Sequence, residues 1–177
     1  MVANRLVAAG REFRPLTRAD ASYGDVVTMT RALAGVDRLL LVSGRESATR
    51  LQEHTSAVDA ARFAGVRHIV YLSFLAASPT CTFTLGRQHH WTEEHIREQG
   101  IAHTFLRDSL YLDMFHHIVG SDGVIRGPAA DGRFAAVAHE DVADVATAVL
   151  LDPDAHAGQT YDVTGPESIS LSEGAAV

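Results

Sequence analysis

The chain has 177 residues, 46% apolar and 21% charged, which suits one globular domain with a sizeable core. A net charge of −7, with arginine for every one of the fifteen basic residues and no lysine, argues against a nucleic acid backbone as partner. The missing lysine also excludes Schiff-base chemistry, a P-loop lysine and a tyrosine–lysine catalytic pair.

Residues 2–9 read as the closing turns of a helix, with Gly10 just past its end. Residues 12–17 are a candidate strand, demoted to an edge or a strand start by Pro15, which lacks a donor. From Asp25 to Ala34, Val26, Met29, Ala32 and Leu33 fall at helical spacing, with Asp25 as N-cap and Gly35 as stop. Arg38 to Val42 is a short buried strand ending at Ser43-Gly44, and residues 47–64 form a helix closed by Gly65. Val66 to Leu75 is the clearest strand, apolar on both faces and ending in a small hydroxyl residue. The two strands and the helix between them make a crossover of the length a parallel pair requires.

A loop over 76–85, marked by Ser78-Pro79, precedes a helix to Gln99 that Gly100 stops, and residues 101–106 read as another parallel strand. Residues 111–119 read as helical, after which the chain turns through Gly120, Gly123, Gly127-Pro128 and Gly132. Asp141 is a candidate cap for a helix from Val142 to Leu151, residues 159–164 for a last strand, and Ser170 or Ser172 for a final helix start. This alternation predicts an α/β fold, a doubly wound parallel sheet, in a single domain over 1–177. Ligands in such sheets sit beyond the carboxyl ends of the strands, here Ser43-Gly44, Ser73-Phe74-Leu75 and Arg107 to Tyr111.

Ten histidines raise the question of a metal, but neighbouring histidines point apart on a helix and no ligand spacing is present, so no metal site is expected. Cys81 is the single cysteine, no apolar run approaches the roughly 20 residues of a membrane span, and no long apolar leader opens the chain. The expectation is a cytoplasmic protein with a small-molecule substrate and neither nucleic acid nor membrane as partner.

Several blocks resemble one family. They are Ala34-Gly35-Val36-Asp37 leading into Leu39 to Ser43, Ala64-Gly65-Val66 with His68 to Leu75, and Arg87-Gln88-His89 with Thr92-Glu93-Glu94. Phe105 to Asp108 with Tyr111, Gly132-Arg133 with Asp141-Val142-Ala143, and Tyr161 to Gly165 continue the match. Together they resemble the atypical short-chain dehydrogenases of the NmrA-like type, particularly its quinone oxidoreductase and triphenylmethane reductase group. The resemblance implies a Rossmann-like fold and NAD(P)H-dependent hydride transfer, NADP being the expected cofactor and NAD the other possibility, to quinone- or dye-like acceptors. Such acceptors need no strong protein acid, because the product oxygen or nitrogen takes its proton from solvent.

The same resemblance assigns roles. Arg18 resembles the arginine that faces the adenosine 2′-phosphate; Ser43 and Gly44 bring backbone to the cofactor ribose; Ser73 and Phe74 flank the nicotinamide; Val42 and Leu75 beside them count as cofactor-binding. Arg107 and Asp108 line the cofactor and substrate side with Tyr111, and His89 hydrogen-bonds the cofactor or donates a proton; His89 and Tyr111 are the catalytic candidates. Without the resemblance each has a plainer reading: a strand-to-helix turn at Ser43-Gly44, a capping Ser73, an exposed His89, and a surface ion pair at Arg107-Asp108 beside a half-buried Tyr111. Two family features are absent, the first strand with its G-x-x-G-x-x-G turn and most of the lobe that covers the substrate, so an incomplete, truncated version of the fold is expected. Sheet edges left open by a missing strand favour a homo-oligomer. The alternative function is an inactive Rossmann-like remnant serving as a regulatory or interaction module.

Overall fold

Four parallel strands carry the architecture of the computed structural model, which describes residues 1–126 and 130–175; the turn expected at Gly127-Pro128 lies outside them. Helix α1 (Val2–Ala8) ends at Gly10, whose φ of 66° suits the residue past a helix end. Residues 12–17 carry no strand, contrary to expectation. Pro15 offers no N–H, and Arg14 donates instead to the carbonyls of Ala32 and Ala34 at the end of α2 (Val26–Ala32). The Asp25 cap is as read: its carboxylate accepts from the amides of Val27 and Thr28.

Strand β1 (Arg38–Leu41), helix α3 (Arg50–Phe63) and strand β2 (His68–Phe74) form the predicted crossover, with Leu41 paired to Tyr71. Helix α4 (Thr84–Glu98) leads to β3 (Ala102–Asp108), which runs two residues further than the sequence indicates and so carries Arg107 and Asp108 inside the sheet. Its register sets Arg107 beside Ser73 and Asp108 beside Phe74. Only Met114–Ile118 of the expected helix 111–119 is helical (α5), and Tyr111 instead bridges to Val137. After β4 (Arg133–Phe134) comes α6 (His139–Leu151); it starts earlier than predicted, with Ala138 as N-cap and Asp141 within the first turn rather than capping it. A 3₁₀ turn (Pro153–His156) leads to β5 (Thr160–Val163), and β6 (Ile169–Ser170) pairs antiparallel with β4 before α7 (Leu171–Gly174), which Ser170 and Glu173 open with a capping box.

The strand order β1-β2-β3-β5 leaves one edge of β1 and one of β5 unpaired among the described residues. Because side chains alternate along a strand, Ile69, Tyr71 and Phe105 join the core with α3 and α4, whereas Val70 and Leu106 join the other with α6. Helices thus cover both faces, as a Rossmann-like sheet requires.

Candidate functional site

The carboxyl ends of β1, β2 and β3 open into a cleft of about 330 Å³. Ser43 and Gly44 form its β1 wall, Phe74 and His89 the middle, and Asp108 with Tyr111 the far side; Leu85, Leu110 and Met114 add apolar surface. A few polar groups converging in a mostly apolar recess is the usual make-up of a small-molecule site. Arg45, Glu46 and Arg50 also line it, three residues that no motif in the sequence singles out.

Beneath the cleft floor runs a buried polar chain. The Gly44 amide donates to His54 Nε2 at 2.8 Å, while Arg50 Nε donates to the Gly44 carbonyl at 2.9 Å. A Cβ on Gly44 would come within 3.3 Å of His54 Nε2, so this tight clamp of the turn favours glycine. Arg50 Nη2 lies 2.8 Å from His89 Nε2, and a guanidinium only donates. His89 Nε2 is therefore the acceptor, and Nδ1–H donates to the Tyr71 hydroxyl at 2.9 Å. By the same logic His54 accepts at Nε2 and presents Nδ1–H to Thr92 Oγ1 at 3.1 Å and to the Tyr71 oxygen at 3.3 Å.

Both imidazoles are held neutral. Burial first, and Arg50 second, push the pKa of His54 and of His89 down to about 3. At neutral pH His89 is an uncharged, orientationally fixed group, the reverse of a solvent-exposed histidine. Burial likewise raises the Tyr71 hydroxyl above its ordinary range.

A second buried cluster sits one strand along. Glu93 on α4 has no exposed surface, and Arg107 grips it with both Nε and Nη2, at 2.9 and 2.7 Å. The Ser73 hydroxyl donates to the same carboxylate at 2.6 Å. Arg107 thus pairs with Glu93, not with Asp108, and Ser73 is spent in the interior while its neighbour Phe74 faces the cleft. The register Ser73 beside Arg107 is what lets one carboxylate serve both.

Asp108 accepts from the Tyr111 hydroxyl, and the Tyr111 ring stacks on His139 with centroids 3.9 Å apart. Burial raises the Asp108 carboxyl to about 6, against the lowering effect of the Tyr111 hydrogen bond. Burial, then the Asp108 charge, raises the Tyr111 phenol. Within this acid–phenol pair Asp108 is the one titratable group of the cleft whose shifted value lies near neutrality among the described residues.

Of the eleven residues singled out in the sequence, the cleft gathers Ser43, Gly44, Phe74, His89, Asp108 and Tyr111. Val42 contributes its carbonyl as acceptor for the Tyr23 hydroxyl at 2.8 Å, and the Leu75 amide donates to the Asp108 carbonyl at 2.8 Å. Arg18 sits in an exposed turn within electrostatic reach of Tyr23.

The model of the NmrA-like family matches residues 16–173. Quinone oxidoreductase 2 of Escherichia coli is 33% identical over 179 residues, covering 99% of this chain and 62% of that protein. The crystal structure of the Escherichia coli NADPH-dependent quinone oxidoreductase with NADPH matches with a TM-score of 0.76, over 96% of this chain and 58% of that one. Triphenylmethane reductase of Citrobacter sp., solved with NADP(H), is 31% identical with a TM-score of 0.76, over 94% of this chain and 58% of its own. An NAD(P)H azoreductase of Xenophilus azovorans is 30% identical over 152 residues, 84% of this chain and 52% of that protein. The chain spans 62% of the quinone oxidoreductase and 52% of the azoreductase. With the family match running from the segment before α2 into α7, across every strand of the sheet, the chain belongs to the NmrA-like family.

Proposed function

We propose that this chain binds NAD(P)H, NADP in preference, along the carboxyl edge of its sheet and directs hydride transfer to a quinone- or dye-type acceptor in the cleft. The observation that carries the reading is the convergence of Ser43-Gly44, Phe74, His89 and the Asp108–Tyr111 pair, from separate chain segments, on one recess. The residues fit a nicotinamide riboside: Ser43 and Gly44 bring backbone to the cleft wall, Phe74, Leu85, Leu110 and Met114 offer apolar surface, and Ser43, His89 and Tyr111 offer polar groups. The cofactor, when bound, supplies the hydride. The chain supplies position and dryness: His54 and Arg50 fix the Gly44 turn, Arg50 and Tyr71 fix His89, and the apolar lining excludes water.

Asp108 and Tyr111 are the groups we assign to proton handling near the acceptor, and Arg18 to the adenosine phosphate. Self-association across the open edge of β1 goes with this reading. The relatives support hydride transfer over an inactive remnant, since the quinone oxidoreductase and the azoreductase are named for reductions. The test is a titration with NADPH, followed by cofactor fluorescence and protein melting temperature, then turnover with a quinone. An upward melting shift and quinone-dependent NADPH oxidation are expected; no shift at saturating cofactor would overturn the proposal.

A further inference from the structure

Arg50 is a buried cation without a counter-ion. It is 2% exposed, and among the described residues no carboxylate lies within salt-bridge distance of it. Of the five N–H donors of a guanidinium, three are spent, on the Gly44 carbonyl, Gln88 Oε1 and His89 Nε2. Two remain without a protein acceptor among the described residues, on a side chain that lines the cleft. Leaving a buried charge uncompensated is costly, so a site that retains one has a use for it. Arg50 is also the first residue of the fourteen-residue helix α3, whose positive end adds to the same field.

We propose that Arg50 is an anion-binding group of the cleft and that it receives the acceptor oxygen on which negative charge develops. The proposal rests on the hydride-transfer reading and narrows its acceptor class to quinones. A quinone gains a hydride, two electrons with one proton, from NAD(P)H, which leaves as NAD(P)+. The electron pair of one carbonyl ends on oxygen as the hydroquinone monoanion, and a proton drawn from solvent through the Asp108–Tyr111 pair then completes the hydroquinone. Donors fixed before reaction at the place where that charge appears stabilise the transition state more than the neutral quinone. A cationic triphenylmethane dye meets the opposite field. Phosphate shares the anionic-oxygen chemistry, but Phe74, Leu85, Leu110 and Met114 give the cleft an apolar lining that suits an aromatic oxyanion. Other charges face the cleft: Glu46, which acts on Arg50 electrostatically, Arg45 beside it, and Asp108 across the recess with its charge engaged by Tyr111.

The test is equilibrium binding of redox-inert probes to the whole chain: 4-nitrophenolate, its neutral ether 4-nitroanisole, inorganic phosphate, and the cationic dye crystal violet. Wild-type protein should prefer 4-nitrophenolate to the ether and the dye, and Arg50→Gln should cut the preference for the anion over the ether by about tenfold or more. Arg50→Lys should recover part of the loss. Equal binding of anion and ether by the wild type, or tighter binding of the dye, overturns the proposal without any variant. So does an anion preference that survives in Arg50→Gln and disappears in Arg45→Gln. Phosphate displacing 4-nitrophenolate in an Arg50-dependent way would overturn the acceptor assignment in favour of a phosphate subsite. Melting temperatures of the same samples report folding. The NADPH titration is independent of these probes, so loss of cofactor binding with the anion preference intact sinks the hydride-transfer reading alone.

Discussion

Acidification should unfold this protein through its core before its surface carboxylates respond. His54 and His89 have native pKa values of about 3 against an ordinary 6.5. Their native forms refuse protons that the unfolded chain accepts, so this stability is complete above about pH 6.5 and falls as pH drops towards 3. At ~1.36 kcal/mol per unit, lowering the pH to about 5 costs about 2 kcal/mol for each histidine, or about 4 for both. Asp108 opposes them: with a native pKa of about 6 against 3.8, the folded carboxyl takes its proton first. That returns about 1 kcal/mol by pH 5, leaving a net loss of about 3 kcal/mol. Carboxylates with lowered values, such as Asp25 and Asp37, respond only below about pH 5. Urea unfolding of wild type and His54→Gln at pH 7 and pH 5 measures the effect. The variant should lose about 2 kcal/mol less than the wild type over that interval. Equal losses, or an NMR titration placing either imidazole near its ordinary value, would refute the neutral-histidine core.

Replacing Glu93 by Gln strips the charge that Arg107 grips and should cost about 3 kcal/mol, seen as a fall in melting temperature of roughly 10 °C; replacing both residues by Leu and Met should recover much of it. Gly165→Ala places a Cβ 2.0 Å from the Ala136 carbonyl oxygen, so backbone must move; a loss of about 1–3 kcal/mol or more in denaturant unfolding is expected. The Asp108 side chain should titrate near 6 by carboxyl NMR, and Tyr111→Phe should raise that midpoint, because the phenol hydrogen bond lowers it. Asp25→Ala removes the acceptor for two helix amides and should cost about 1 kcal/mol in the same unfolding assay.

The strands were legible where burial on both faces leaves a continuous apolar run, as in Ile69 to Leu72, and Asp25 was legible because an N-cap is a local event. The cleft's strand ends followed from topology alone. What sequence reading missed lies where polar residues turn inward. Glu93 looks like a solvated helix residue until the pairing of Ser73 with Arg107 brings two donors to it. Arg50 and His54 occupy inward positions of α3, which an amphipathic helix ordinarily fills with apolar residues, and their partners 38 or 39 residues away, Thr92, Gln88 and His89, make that burial tolerable. The segment 12–17 resembles a strand in its apolar residues, but only Leu16 packs on the core, without strand pairing, while Phe13 stays exposed.

The clamp on Gly44 has a consequence for how the cleft comes into being. His54 and Arg50 reach back only ten and six positions along the chain, so turn and clamp close as one short loop. Contacts this local are expected to form ahead of the pairing of β3 with β2, which spans more than thirty positions. On that order one wall of the cleft would assemble with the first turns of α3, and the rest of the sheet would dock against a turn already set. Hydrogen exchange would read this directly: the Gly44 amide should gain protection together with the α3 amides and before those of β3.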